Sequence, residues 1–394
     1  MFDHIFTNAI DGNGDPLTIA VKNGRFAALG AENIAVEGVE ITDLKGHLVL
    51  PGFVDSHIHL DKSFVGDRWH PHRSVSSLRE RLQVEKEELA AAPSIASRAE
   101  ALLRKAQSFG TIAMRSHVDV DATTKLDNLH AIQEVREKWR GMIDVQLVAF
   151  PQAGLMSCPG TADILDAALA EGVEVIGGID PTTLDGDADG QLDVVFGLAE
   201  KHGVMVDIHL HQPGQLCVDD LTRIAARTTA LGMQGKVTVS HAYGLGDLSA
   251  AELKKIADIL AKADVGIMTN GPGSHPFPPV WELHKAGVRV LSGNDNIQDS
   301  WWPYGNGDML QRAMIIGYRL GLNEDEQLHL LLDMVTHAGA RTLGLKDYGL
   351  TVGNEADFIV VEALNAAAAV AAVPYARAVV RGGRVTVKPA DMAF

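Results

Sequence analysis

From about residue 51 to 345, short apolar runs alternate with longer segments of helical periodicity. The runs are "GFVDSHIHL", "TIAMRSHVDV", "DVQLVAF", "VEVIGGID", "VMVDIHLH", "KVTVSHA", "VGIMTN" and "VRVLSGND". The intervening segments, about 15 to 25 residues long, include "SRAEALLRKAQSFG" and "QLDVVFGLAEKHG", whose apolar positions recur every three or four residues. Strand then helix, repeated eight times, predicts a parallel sheet closed into a (β/α)8 TIM barrel. An open doubly wound sheet is the competing arrangement, but no Gly-x-Gly-x-x-Gly turn follows an early run.

The two ends of the chain have a different texture. "LTIAVKNGRFAALG" places Asn23-Gly24 between apolar runs, and "ARAVVRGGRVTV" turns at Gly382-Gly383. Both are hairpin signals, because these residues tolerate the positive φ that a two-residue turn needs. With "ADFIVVE" they predict a small composite β-sandwich domain formed by residues 1–50 and 346–394, flanking a barrel over 51–345. The Ala-rich stretch 366–372 reads as a helix within it.

The 394 residues are 46% apolar and 22% charged, ordinary values for a globular protein. Against 51 Asp and Glu stand 34 Lys and Arg, a net charge of −17, which argues against a nucleic-acid partner. Two cysteines, Cys158 and Cys217, form no disulfide framework and no Pro-Cys-x-x-Cys zinc site, and they fit a reducing compartment. No signal-like N-terminus and no apolar span of about 20 residues occurs. The expectation is a cytoplasmic protein with no membrane partner.

Polar residues collect where the apolar runs end. Seven of the eight ends carry one or more: His57 and His59, His117 and Asp119, Gln152, Asp180, His209 and His211, His241, and Asp295. The carboxyl ends of barrel strands converge on one face. His57 and His59 are two residues apart, so an extended backbone aims both imidazoles the same way. With His209 and the Asp295 carboxylate they make a nitrogen and oxygen set for one divalent metal ion, Zn2+ or Fe2+, with Zn2+ expected. Such an ion lowers the pKa of a coordinated water to roughly 7. His241 is then the residue expected to orient or deprotonate that water, with Asp295 sharing the proton.

These residues and their flanks, "PGFVDSHIHLDKSF", "SHVDVD", "VAFPQAG", "DIHLHQ", "TVSHA" and "SGNDNIQDSWWPYGNGDMLQ", resemble the amidohydrolase superfamily in its cytosine deaminase-like branch. The resemblance runs over nearly the whole chain. It implies metal-dependent hydrolysis of a carbon–nitrogen bond, with His57, His59, His209 and Asp295 as ligands, His241 on the water and Gln152 on the substrate ring. In one place the chain departs from that branch. Cytosine deaminases carry a glutamate where this chain has Gln212, in the run His209-Leu210-His211-Gln212, and an amide has no proton to relay.

Lys62, His211 and "DNIQDSWWPYGNGDM" are most similar to the s-triazine alkylaminohydrolases of that branch, which also lack the glutamate. The implied substrate is a small nitrogen heterocycle that loses an exocyclic amino or alkylamino group. Lys62 is expected to stabilise charge on a ring oxygen, or else to pair with Asp61 or Asp119, and His211 to supply the proton that Gln212 cannot. Asp180, Gln212 and Trp302 are expected at the substrate, the indole stacking on a planar ring. A nucleobase deaminase of cytosine or isocytosine type, a cyclic amidase, and a non-catalytic binding relative are the alternatives. The two-metal cyclic amidases need a carboxylated lysine on the fourth strand, and "VEVIGGIDP" has none. A homo-oligomer is a family-level expectation.

Overall fold

The computed structural model describes residues 2–31, 38–273, 275–390, 392 and 394, apart from the side chains of 78 and 79. Residues 32–37, in the predicted N-terminal β region, lie outside the described residues. Five strands come first: β1 (His4–Ile10), β2 (Pro16–Lys22), β3 (Arg25–Gly30), β4 (Glu40–Asp43) and β5 (Leu48–Pro51). Asn23 and Gly24 join β2 to β3 with φ of 52° and 74°, the left-handed turn that the dipeptide signalled.

Eight parallel strands follow, each hydrogen-bonded to the next: β6 (Phe53–Ile58), β7 (Thr111–Asp119), β8 (Asp144–Phe150), β9 (Val175–Ile179), β10 (Met205–Leu210), β11 (Val237–His241), β12 (Val265–Thr269) and β13 (Val290–Ser292). They coincide with the eight apolar runs. Most of these strands are buried along their whole length, as expected when helices cover the outside and side chains fill the inside. The helix Ile95–Ser108 illustrates the cover: Ala99, Leu102, Leu103 and Ala106 form one buried stripe, and Ser94 caps its first turn.

The ring closes between the first and last barrel strands. Asp295 N donates to His57 O at 2.7 Å, and Asn294 N and Nδ2 donate to Asp55 at 3.0 and 2.7 Å. A side chain at Gly293 would bring its Cβ within 2.5 Å of His57 N, so only glycine permits this approach. Closure therefore sets Asp295 beside the His57 strand.

After the barrel, β14 (Phe358–Val361), β15 (Arg377–Arg381) and β16 (Arg384–Val387) return to the first sheet, β14 pairing antiparallel with β5. The chain ends thus share one mixed sheet beside the barrel. The Ala-rich stretch is the helix Ala366–Ala372, capped by Asn365. Arg377, fully buried, bridges sheet and barrel: it makes paired bonds of 2.6 and 2.7 Å to Asp308 and one of 2.9 Å to Phe109 O. Among the described residues no helix is long and apolar enough to cross a membrane.

Candidate active site

The strand ends bring five of the predicted side chains into two overlapping clusters. His57, His59 and Asp295 offer ligand atoms within 4.8 Å of one another, and so do His57, His209 and His241. Asp295 Oδ1 lies 3.5 Å from His57 Nε2 and 3.3 Å from His59 Nε2. The backbone is strained where these groups are aimed: φ is 75° at His241, the last residue of β11, and 61° at Asp295 and 36° at Asp180, which follow their strands. Non-glycine residues held there cost roughly 1–3 kcal/mol each, and such strain gathers at functional sites.

A metal ion fits this cluster. His57 Nε2, His59 Nδ1 and both ring nitrogens of His209 are buried without a hydrogen-bond partner. Unpartnered buried nitrogens are costly unless a ligand satisfies them. Burial also disfavours the charged form of three of the rings, pushing His59 down to about 4 and His209 and His241 well below the ordinary imidazole value. Burial alone would raise Asp295, but the facing His241, His57 and His59 hold its carboxyl well below the usual range. The result is a carboxylate facing buried imidazole nitrogens, a donor set suited to a divalent cation.

His57 is oriented from behind. Ser240 Oγ donates to Asp207 at 2.7 Å and accepts from His57 Nδ1 at 2.9 Å, and Arg115 anchors Asp207 at 2.8 Å. The chain of bonds puts the proton on Nδ1 and leaves Nε2 as the lone-pair nitrogen. His117 stacks on the same ring at 3.8 Å.

Above the cluster opens a cavity of about 970 Å3. Gln152, Asp180, His211 and Asp295 line it, with Trp301 and Trp302. Asp180 accepts from His211 N at 2.7 Å and from His211 Nδ1 at 2.8 Å, fixing the ring that stacks on His241 at 4.6 Å. Burial would lower the His211 pKa, but the Asp180 carboxylate outweighs it and raises it.

Two residues expected at the substrate stand back from the cavity wall. Gln212 is buried, its amide donating to Asp220 of the helix Gly214–Ala230, and Pro213 turns the chain away behind it. Lys62 is only 2% exposed; its ammonium donates to Gln152 Oε1 at 2.6 Å and lies 2.9 Å from Asp119 and 3.8 Å from Glu85. Burial would lower the lysine pKa, but Asp119, Glu85 and Asp61 raise it above the ordinary value. Glu85 comes from the helix Leu78–Ala91, and it also accepts from Trp301 Nε1 at 2.6 Å.

Three lining residues were not singled out from the sequence. Asn270 donates to Asp295 Oδ2 at 2.7 Å, Tyr243 OH lies 3.3 Å from His241 Nδ1, and Arg312 donates to the carbonyls of Asn270 and Asn294. Asn270 carried a signal, since it closes the run "VGIMTN", the one barrel run to which no polar end was assigned.

The amidohydrolase family pattern matches residues 40–387. The N-isopropylammelide isopropyl amidohydrolase of Pseudomonas sp. (strain ADP) is 34% identical over 398 residues, 98% of each chain. The crystal structure of N-isopropylammelide isopropylaminohydrolase from Burkholderia multivorans has a TM-score of 0.93 at 39% identity, covering 98% of this chain and 99% of that one. The 5-methylcytosine deaminase of Klebsiella pneumoniae, liganded with 5-fluorocytosine, has a TM-score of 0.86 at 27% identity over 98% and 97%.

Proposed function

Since the chain belongs to the amidohydrolase family, hydrolases of carbon–nitrogen bonds, we propose that it removes an exocyclic amino or alkylamino group from a nitrogen heterocycle. One observation carries this reading: a histidine and carboxylate cluster with unpartnered nitrogens lies beneath a cavity walled by Trp301 and Trp302, large enough for a substituted ring.

His57, His59, His209 and Asp295 would hold one divalent ion, which we read as Zn2+. When bound, the ion supplies Lewis acidity, which brings the pKa of a water down to about 7. His241, kept neutral by burial and close to Tyr243, is placed to take a proton from the attacking water, and Asp295 to share it. The water oxygen bonds to the ring carbon, the exocyclic C–N bond breaks, and the departing nitrogen needs a proton. His211 supplies it: its Nδ1 is committed to Asp180, and its ring lines the cavity. Gln152 and Asp180 orient the ring, and Trp302 stacks on it. Residues 51–345 form the catalytic barrel in this reading, and two free cysteines support a reducing, cytoplasmic setting.

Gln212 favours this scheme over glutamate-dependent deamination of cytosine, because its amide is spent on Asp220 and carries no proton to relay. The test is ammonia or alkylamine release by metal-loaded protein from cytosine, isocytosine, ammelide and N-alkyl ammelides. Release from an oxygenated aminoheterocycle is expected. No release from any ring on the panel, with the metal bound, would falsify the proposal.

A further inference from the structure

The position of Lys62 behind Gln152 limits what the cavity wall can read. A glutamine amide has an accepting oxygen and a donating NH2, and a free amide can present either by turning over. An ammonium has donors only. With Lys62 Nζ 2.6 Å from its oxygen, Gln152 cannot turn over without setting NH2 against NH3+. Oε1 therefore faces the lysine, and the NH2 is the end left for a ligand.

The lysine cannot swing away to release the amide. It is 2% exposed, its Nζ is 2.9 Å from Asp119 Oδ1, and Asp119 N in turn donates to Asp61 Oδ2 at 3.0 Å. Glu85, 3.8 Å from the same Nζ, closes the third side and is fixed by Trp301.

We infer that Lys62 is a positioning residue that locks Gln152 as a donor, so the site selects heterocycles that place an exocyclic oxygen against that amide. Rings that place an amino group there meet donor against donor. The inference rests on the proposed reading of the cavity as the substrate site, and it assigns Lys62 a role through Gln152 instead of direct contact with substrate. A charge-assisted bond of this kind is enough to bias the amide roughly 10- to 100-fold toward one orientation.

The test uses ammelide and melamine, in which both exocyclic oxygens of ammelide are exchanged for amino groups, so that no turn of the ring presents an oxygen. Their dissociation constants are measured by calorimetry on metal-depleted protein, where nothing turns over, and kcat/KM for ammonia release is measured on metal-loaded protein. Wild type is expected to favour ammelide by about tenfold or more in binding. Lys62→Met frees the amide to turn, and the preference should shrink to within about threefold. Gln152→Glu keeps a partner for Lys62 but presents an oxygen to the ring, and the preference should invert; this variant guards against a folding defect in Lys62→Met. A ratio unchanged in both variants, or a wild type that binds neither ring or binds melamine as tightly, overturns the assignment. Retained binding preferences with no ammonia release would instead overturn the hydrolase reading and leave the amide assignment standing.

Discussion

The floor of the site and its rim are built from different kinds of chain. On the floor, His57, His59, His209, His241 and Asp295 sit at the ends of strands that the barrel registers against one another, and all five are at least nine-tenths buried. The rim is made of connections: the helix Leu78–Ala91 and the segment from Asn296 to Tyr304, with Tyr304 two-thirds exposed. Closure of the barrel between His57 and Asp295 fixes the floor, whereas the rim is held by side-chain bonds such as Trp301 to Glu85 and Ser300 to Glu88. A rigid floor suits chemistry that tolerates little misplacement, and a wall of loops can change ring specificity without disturbing it.

If that division holds, the floor governs turnover and the rim governs binding. The largest effect is expected at His241. His241→Asn should lower kcat by about 10^2 to 10^4, the usual share of a positioned acid–base group, with metal content unchanged. Metal analysis alongside amine release checks it. Full activity would move proton transfer off the floor, and loss of the metal with activity would make His241 a ligand.

A smaller effect is expected one layer below. Ser240→Ala removes the hydroxyl between His57 and Asp207 but leaves Asp207 paired with Arg115. The tautomer of His57 is then no longer enforced, and metal affinity should fall about 10- to 100-fold. Competition with a chelator reads this without turnover. An unchanged affinity would mean that packing against His117 alone orients the ring.

How legible each region was in the sequence follows the same division. Parity along a strand told which way His57 and His209 point, and His59, the first residue past β6, keeps the same repeat, because strand geometry repeats every two residues. The rule fails farther past the strand. β10 ends at Leu210, so Gln212 obeys the turn before Pro213 and faces Asp220 instead of the cavity. Lys62 lies past the end of β6, and what surrounds it comes from β7, the residues after β8, and a helix whose register with the barrel no local pattern records. Both ends of the chain carried strong hairpin signals, and Asn23-Gly24 and Gly382-Gly383 turn as their φ preferences require. The pairing of β5 with β14, about 310 residues apart, is a tertiary fact for which sequence offered only similar texture.

The rim has its own pH dependence. Burial raises the Asp299 carboxyl to about 7, with bonds from Asn296 and the amides of Trp302 and Trp301 opposing the rise and Glu85 adding to it. Its folded pKa is above the unfolded value of about 4, so the folded protein holds this proton more tightly. The stability it contributes is complete below about pH 4 and is lost as pH rises to about 7, at up to about 1.4 kcal/mol per pH unit. Asp299→Asn should remove that slope. Denaturant unfolding of both proteins at several pH values between 5 and 8 reads the difference, and parallel profiles would mean that Asp299 is ionised throughout.

The smallest effect is expected at the aromatic wall, where it separates rim from floor most directly. Trp302 lines the cavity, packs on Tyr304 at 5.5 Å between ring centroids, and is held by its own N–H on Asp299 at 2.8 Å. Trp302→Ala leaves that backbone bond in place and removes only the indole. Aromatic stacking contributes about 0.5–1.5 kcal/mol beyond area burial, so KM should rise roughly 2- to 12-fold. An indole that stacks on the ring equally in the ground state and the transition state changes KM and leaves kcat nearly constant. A matching fall in kcat would mean that the rim positions the ring for attack, and the division between the two regions would give way to a single cooperative site.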